Sequence, residues 1–292
     1  AGLISPRSVV RSHFPLPFEM KKILKYFKSS PKYSIKWSNY FEIYANILNK
    51  YINKKVTLVE IGVGNGGSLF MWKKFLGKKA NIIGVELNPE AKKLEKYGFK
   101  IFTGDQSDPT FWKSFYKKIK KIDILIDDGG HTNLQQITSL MESFNHINNN
   151  GIIIVEDTHT SYMNYKGFKN PSKNSFINFS TNIIENIHRR NPMLKKKMNQ
   201  ISDKVYSIEY YDSIVVINIK NKNLNYSKNL QNNKKLETSF IDYRFKRVDV
   251  KNYKKNKNKF INVIKSKVSK KGYLQKIYED YQIKKYLKKI KN

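Results

Sequence analysis

Three observations predict an α/β protein built on a doubly wound, mostly parallel sheet. Short apolar strands alternate five times with helical stretches through brief connections, the pattern of parallel strands joined by crossover helices. The first strand runs directly into a glycine-rich turn, LVEIGVGNGGS, that opens a helix. Two later strands, IDILIDDGGH and GIIIVEDTHT, each meet a pair of carboxylates where the strand must stop. Ligands of open α/β sheets sit beyond the carboxyl ends of the strands, so these acids mark the candidate site.

The elements follow in chain order. Residues 1–18 contain no Lys, and the stretch AGLISPRSVVRSH has no apolar run of signal-peptide length; it is assigned no function. Over 37–51 the residues Trp37, Tyr40, Phe41, Tyr44, Leu48 and Tyr51 recur at helical spacing, with Ser38 as the cap. A buried strand over 56–61, a turn over 62–67 and a helix over 68–76 come next. A second strand over 81–87 carries Glu86 near its end and is broken by Asn88-Pro89. The spacing then predicts a helix over 90–97 ended by Gly98. A third strand over 100–103 closes at Gly104-Asp105. A helix over 111–120, a strand over 122–126, a helix over 134–144 and a strand over 152–155 complete the alternation.

Beyond Thr160 a polar stretch reaches about Pro171, followed by a helix over 176–190 that stops at Asn191-Pro192. Strands over 205–211 and 213–220, with Asp212 near the tight turn, pair as an antiparallel hairpin on the sheet edge. The expected organisation is an N-terminal segment and helix (1–52), the α/β domain (53–222), and a basic, helical C-terminal extension (223–292) that offers a partner surface.

Composition narrows the function classes. At 39% hydrophobic residues the chain can form one sizeable core. It has no cysteine, which excludes disulfides, thiolate metal sites and a cysteine nucleophile, and suits a cytoplasmic location. No apolar run has the length of a transmembrane span. The net charge of +33 points to nucleic acid, an anionic membrane or acidic substrates. Yet of 56 basic residues six are Arg and the other 50 Lys, and Asn and Ile are abundant too. Arg makes the bidentate contacts to phosphate and guanine, so the coding bias of an AT-rich genome is the preferred reading and nucleic acid is not favoured. A homo-oligomer remains open.

The acids carry the chemistry. Asp127, Asp128, Glu156 and Asp157, delivered side by side, repel one another unless something cationic lies between them; a hard metal ion bound by oxygen is the natural candidate. The glycines of the turn (Gly62, Gly64, Gly66), with Ser68 opening the helix, let backbone approach a ligand closely. Glu86 is placed to accept from both ribose hydroxyls. Asp105, followed by Gln106 in TGDQSD, can accept from an adenine amino group, and Glu60 can face an ammonium group. A cationic, adenosine-bearing ligand fits this acid-rich set better than an anionic dinucleotide, which favours S-adenosylmethionine.

The strings NYFEIY, LVEIGVGNGGSLFMWKKFLG, IIGVELNP, GDQSD, IDDGGH, VEDTHTSY and YYDSIVVI resemble the metal-dependent class I methyltransferases, whose fold is Rossmann-like. Within these the chain is similar to mycinamicin-type sugar O-methyltransferases acting on macrolide and rhamnosyl natural products, a group that includes proteins named for cephalosporin biosynthesis. The resemblance covers residues 37–220. It implies Mg²⁺, with Mn²⁺ as a substitute, bound by Asp128, Glu156 and Asp157, and His131 as general base. It also implies a sugar or glycosylated small-molecule acceptor. One departure is Glu86, where the group usually has Asp. A catechol-like acceptor, or a nucleic-acid- or membrane-binding protein on a methyltransferase scaffold, are the alternatives.

Each assignment has a structural rival. His131 can merely cap the following helix, Asp105 can make a turn with Gly104, and His159 can bond its own loop. Asp127 orients the turn or touches the cofactor. Tyr40, Phe41 and Tyr44 read as core at their helical spacing, and His13, His146 and His188 as surface or packing residues.

Overall fold

The computed structural model describes residues 18–164, 174–188, 190, 201, 204–220, 230, 232, 281 and 283. The chain divides into two compact units, Ala1–Lys228 and Asn229–Asn292. Residues 1–17, His13 among them, most of the stretch to Pro171, and nearly all of the C-terminal extension lie outside the described residues.

The first unit holds a seven-stranded sheet of order β3-β2-β1-β4-β5-β7-β6. Its strands are β1 (Thr57–Ile61), β2 (Asn81–Glu86), β3 (Lys100–Thr103), β4 (Ile122–Asp127), β5 (Ile147–Val155), β6 (Val205–Tyr211) and β7 (Ile214–Ile219). The first five are parallel; β7 is antiparallel to β5, and β6 pairs antiparallel with β7 at the edge. The doubly wound sheet with a terminal antiparallel hairpin is therefore observed. Chain order reverses between β1 and β4, the place where such sheets open a crevice.

Residues alternate between the two faces of each strand, and both faces are covered. On one side Leu58, Ile82, Ile124, Ile126, Ile152 and Ile154 share a core with Tyr44 and Leu48 of α2 (Tyr40–Leu48) and Trp72 and Phe75 of α3 (Gly67–Leu76). On the other, Val59, Ile83, Val85, Leu125 and Ile153 pack with α4 (Pro109–Ile119), α5 (Asn133–Phe144) and α6 (Phe176–His188), through Trp112, Phe115, Phe144 and Phe176. Helix α5 starts on a full capping box: Thr132 Oγ1 accepts from the Gln135 amide, and Gln135 Oε1 accepts from the Thr132 amide. Such a cap contributes about 1 kcal/mol.

Several boundaries differ from the sequence expectation. The helix expected over 37–51 begins at Tyr40, with Asn39 and not Ser38 at its cap, and ends in a 3₁₀ turn over Asn49–Tyr51. Trp37 is 59% exposed in the irregular segment before it, so its helical spacing is fortuitous. The stretch expected as a helix over 90–97 is wound as a 3₁₀ helix, Pro89–Tyr97, capped by Asn88, with Gly98 left-handed at φ +83° as expected. Strand β5 starts earlier, at Ile147. A helix not anticipated from the sequence, α1 (Phe18–Lys28), lies against α2 and α3. His146, read as surface or packing, stacks on Tyr116 at 3.8 Å between ring centroids.

Candidate active site

Strand register builds the site. Ile61 of β1 lies opposite Asp127 of β4, and Asp127 lies opposite Val155 of β5. The next residue of each strand, Gly62, Asp128 and Glu156, therefore leaves the sheet at the same level. The Asp128 amide donates to Ile61 O at 3.1 Å, and the Glu156 amide to Asp127 O at 2.9 Å, which holds the three ends in step.

Beside them, at the ends of β1 to β4, is a cavity of about 340 Å³. Of the expected cofactor residues, Gly62, Gly64, Glu86, Asp105 and Gln106 line it. Glu86 is held from two sides: Oε2 accepts from the Gly64 amide at 2.9 Å and Oε1 from the Asn88 amide at 3.0 Å. Gly64 takes φ +51° with nothing within 4 Å of where a Cβ would stand, so backbone is bare towards open space there. Asp105 closes a turn, but with Ser107, whose amide and hydroxyl both donate to its Oδ1 at 2.7 Å; it lines the cavity all the same.

Glu60, Gly66, Ser68 and Asp127 are not on the cavity wall. Gly66, at φ +88°, caps α3. Ser68 Oγ donates to Glu60 Oε2 at 2.7 Å and both are buried, so Glu60 faces helix α3 and not an open ligand space. Burial raises the Glu60 carboxyl above the usual range against the pull of Lys36. Asp127, which the sequence left between turn and cofactor, orients the turn. Its Oδ1 accepts from Gln106 Nε2 at 2.9 Å and from the Gly129 amide at 3.3 Å. Burial pushes its carboxyl up to about 6, opposed by the Gln106 hydrogen bond. Gln106 joins three pieces of the site, because it also donates to Ser139 Oγ and accepts from the Gly130 amide.

The four strand-end acids are together, but they do not share one environment. Asp128, His131 and Asp157 bring one ligand atom each within 4.8 Å of one another. His131 Nε2 lies 3.4 Å from Asp157 Oδ2 and 3.9 Å from Asp128 Oδ1. His131 takes φ +58° and Asp157 φ +53°, left-handed conformations that His and Asp adopt more readily than most other non-glycine residues. Thr160 Oγ1 donates to the His131 carbonyl and fixes that turn. Glu156, the third expected metal ligand, turns elsewhere: it is fully buried, with Oε1 accepting from Tyr44 OH at 2.6 Å and Oε2 from Lys36 Nζ at 2.9 Å.

Lys36 is a member of the acid group that the sequence did not reveal. Its side chain is 1% exposed, and its ammonium lies 2.6 Å from Asp128 Oδ2 and 3.5 Å from Glu60 Oε1 in addition to Glu156. A cation does lie among the acids, as their mutual repulsion requires, and part of it comes from the chain itself. Burial works to strip the lysine of its proton, but Asp128, Glu156 and Glu60 outweigh it and hold the amine well above the ordinary lysine range. Glu156 also rises, because burial and the Asp128 charge together outweigh one lysine. One positive charge against this many carboxylates leaves room for a divalent ion. No signal in the sequence separates Lys36 from the other 49 lysines.

Tyr40 and Tyr44 are core residues, as expected, yet both hydroxyls reach the acids. Tyr40 OH donates to Asp157 Oδ1 at 2.6 Å and accepts from the Asp157 amide, while Trp37 Nε1 donates to the same oxygen at 3.0 Å. His159 bonds its own surroundings through Ser213 Oγ at 2.8 Å, with Trp37 edge-on to its ring. Among the described residues no helix is long and apolar enough to cross a membrane.

No family model matches the chain. Among curated proteins it is 30% identical over 165 residues to the 8-demethyl-8-alpha-L-rhamnosyl tetracenomycin-C 2'-O-methyltransferase of Streptomyces olivaceus, covering 53% of this chain and 43% of that protein. It is 34% identical over 119 residues to the mycinamicin VI 2''-O-methyltransferase of Micromonospora griseorubida, covering 38% and 29%. The chain thus spans less than half the length of the curated relatives it matches. The solved MycE methyltransferase of the mycinamycin pathway, in complex with Mg and SAH, superposes with a TM-score of 0.61 at 24% identity, covering 71% of this chain and 56% of that one. The fold is that of the class I methyltransferases, and the sequence is similar to sugar O-methyltransferases within them.

Proposed function

We propose that the chain is a Mg²⁺- and S-adenosylmethionine-dependent O-methyltransferase acting on a hydroxyl of a sugar or glycosylated metabolite. The observation that carries the reading is the convergence of Asp128 Oδ1, Asp157 Oδ2 and His131 Nε2 beside a cavity walled by the glycine turn and Glu86. The named functions of the relatives, all O-methyltransferases and several acting on rhamnosyl or macrolide compounds, support it.

The residues fit both groups. Two carboxylate oxygens within 4.8 Å of each other suit a hard divalent ion such as Mg²⁺ or Mn²⁺. Asp128 and Asp157 are the ligands this geometry offers; each turns its second oxygen to a protein donor, Lys36 for Asp128 and Tyr40 with Trp37 for Asp157. Such outer partners fix ligand orientation. For the methyl donor, the Glu86 carboxylate is anchored by amides of its own and the preceding turn, with lone pairs left for ribose hydroxyls. When bound, the sulfonium supplies an electrophilic methyl group and the metal polarises the acceptor oxygens.

The protein's own part is proton removal and placement. His131 Nε2 stands at the open edge of the acid group, where an imidazole takes a hydroxyl proton near neutral pH. The carboxylate of Asp157 beside it stabilises the imidazolium that results. The rigid β1–β4–β5 ends keep the acceptor side and the cofactor side in fixed relation, which is the larger share of a transfer rate governed by alignment.

The test is titration of Mn²⁺ and of S-adenosylhomocysteine into the wild type, Asp128→Asn and Glu86→Ala, followed by transfer of labelled methyl groups to rhamnosylated acceptors. The reading expects Mn²⁺ binding to be lost in Asp128→Asn and S-adenosylhomocysteine binding to be lost in Glu86→Ala. Wild-type protein that binds neither compound contradicts it.

A further inference from the structure

We propose that Trp37 is the platform on which the acceptor's sugar ring stacks, its indole face against the C–H face of a pyranose whose hydroxyls turn to the acid group. This rests on the sugar O-methyltransferase reading above and places the acceptor within it. Nε1 is the indole's single polar atom, and it donates to Asp157 Oδ1 at 3.0 Å. The other oxygen of that carboxylate lies 3.4 Å from His131 Nε2. Indole and imidazole are thus held by the two oxygens of one side chain, within reach of a single sugar ring.

The indole is fixed yet bare. Trp37 O accepts from the Tyr40 amide at 3.1 Å, which ties its backbone to the first turn of α2. The indole stands perpendicular to the His159 ring, with 6.1 Å between centroids, and His159 is held in turn by Ser213 Oγ. Even so, 59% of Trp37 stays exposed; with its N–H committed, what it shows to solvent is carbon surface. Single apolar side chains are often exposed without consequence, but an indole already locked beside the acids has little rotamer freedom left to lose when a ligand covers it. The ring also selects its occupant. An aromatic face carries the negative side of a quadrupole; it attracts the weakly positive C–H bonds of a pyranose face and repels a phosphate or carboxylate. The sugar's hydroxyls, at its rim, stay free for the acids.

Trp37, Trp72 and Trp112 are the three tryptophans of the chain, and the latter two are wholly buried, so collisional quenching of fluorescence by acrylamide reports on Trp37. Methyl α-L-rhamnopyranoside is titrated into the full chain with S-adenosylhomocysteine and Mg²⁺, and glycerol serves as a vicinal diol with no ring face. The sugar should shield the fluorescence from acrylamide and glycerol should not. By saturation-transfer NMR the sugar's ring protons should give signals that Trp37→Phe retains and that Trp37→Leu weakens by about tenfold, the scale of one lost ring contact. S-adenosylhomocysteine affinity, by calorimetry, should be equal in all three proteins. Ring signals as strong in Trp37→Leu as in wild type overturn the platform and leave the methyltransferase reading standing, as does fluorescence that the bound sugar leaves unshielded or that glycerol shields equally. If Trp37→Leu does not fold, the quenching measurement decides alone. Wild type that binds S-adenosylhomocysteine but gives no sugar signal overturns the platform; wild type that binds neither overturns the methyltransferase reading with it.

Discussion

One methyl group added at Gly62 measures how tightly the first and fourth strand ends are drawn together. Gly62 has φ +82°, and a Cβ there would stand 1.9 Å from Asp128 O, 2.6 Å from Asp128 C and 2.8 Å from Gly129 Cα. All three are backbone atoms, and the strand ends that carry them are tied by the Asp128 N–H to Ile61 O bond and the Gly62 N–H to Val85 O bond. No rotamer change relieves the overlap. An ordinary carbon contact requires the Asp128 turn to retreat by more than an ångström. The left-handed conformation costs an alanine about 1–2 kcal/mol, and forced displacement of packed atoms typically about 1–3 kcal/mol. Gly62→Ala is therefore expected to lose about 2–5 kcal/mol of stability.

Gly64→Ala is the control. It also has positive φ, +51°, but meets nothing within 4 Å, so only the conformational cost of about 1–2 kcal/mol applies. Urea denaturation of the two variants under one buffer reads the difference. Because Asp128 must move in Gly62→Ala, its Mn²⁺ affinity should fall as well, whereas Gly64→Ala should keep it. Equal destabilisation of the two variants, with metal affinity unchanged in both, would refute the argument that β1 and β4 meet this closely at the site.

Three further outcomes are expected. In protein stripped of divalent ions, Asp127 has a folded pKa of about 6, raised by burial above an unfolded value of about 3.9. Folding thus favours its protonated form: that contribution is complete below pH 4 and is lost as pH rises through 6. Asp127→Asn should match wild type near pH 4 and exceed it by roughly 2–3 kcal/mol at pH 7, as read by denaturation at both pH values. A parallel pH dependence in the two proteins would exclude the shift. Thr132→Ala, which removes the reciprocal cap of α5, should cost about 1 kcal/mol; no change in the denaturation midpoint would show the cap to be idle. Gln106→Leu removes the hydrogen bonds to Asp127, Ser139 and the Gly130 amide, and should cost about 1–3 kcal/mol because the buried Asp127 and Ser139 each lose a partner. It should also weaken S-adenosylhomocysteine binding, measurable by calorimetry.

The parallel strands were the most legible part of this chain because both of their faces are buried. Runs such as LVEI, IDILI and IIIV have few competing structures when glycine or acid follows them directly. Strand ends are equally legible as chemistry, since acids so placed have no packing reason to be there. Partners brought from elsewhere in the chain are not. Helix α1 carries a helical period in Met20, Ile23, Leu24 and Phe27, yet its lysines resemble every other stretch of the protein. Trp37 fits the period of the helix that follows it while lying outside that helix, because spacings of three, four and seven residues to Tyr40, Phe41 and Tyr44 do not distinguish an in-phase neighbour from a member.

Lys36 shows the limit most plainly. Electrostatics alone required a cation among the acids at the ends of β1, β4 and β5, and a metal was the natural candidate for it. The requirement was sound and its solution was double. A lysine more than 90 residues upstream of Asp128 supplies one charge through a strap anchored at Gly67 and Asp157, and the carboxylates of Asp128 and Asp157 beside it suit the divalent ion proposed above. A charge balance computed from sequence gives the sum of such contributions and never their division. That division is a property of the fold, because it depends on which oxygen of Asp128 faces Nζ and which faces His131. The acid group is thus one electrostatic unit with two geometries: one half in which Asp128 and Glu156 meet Lys36, and another in which Asp128 and Asp157 face His131.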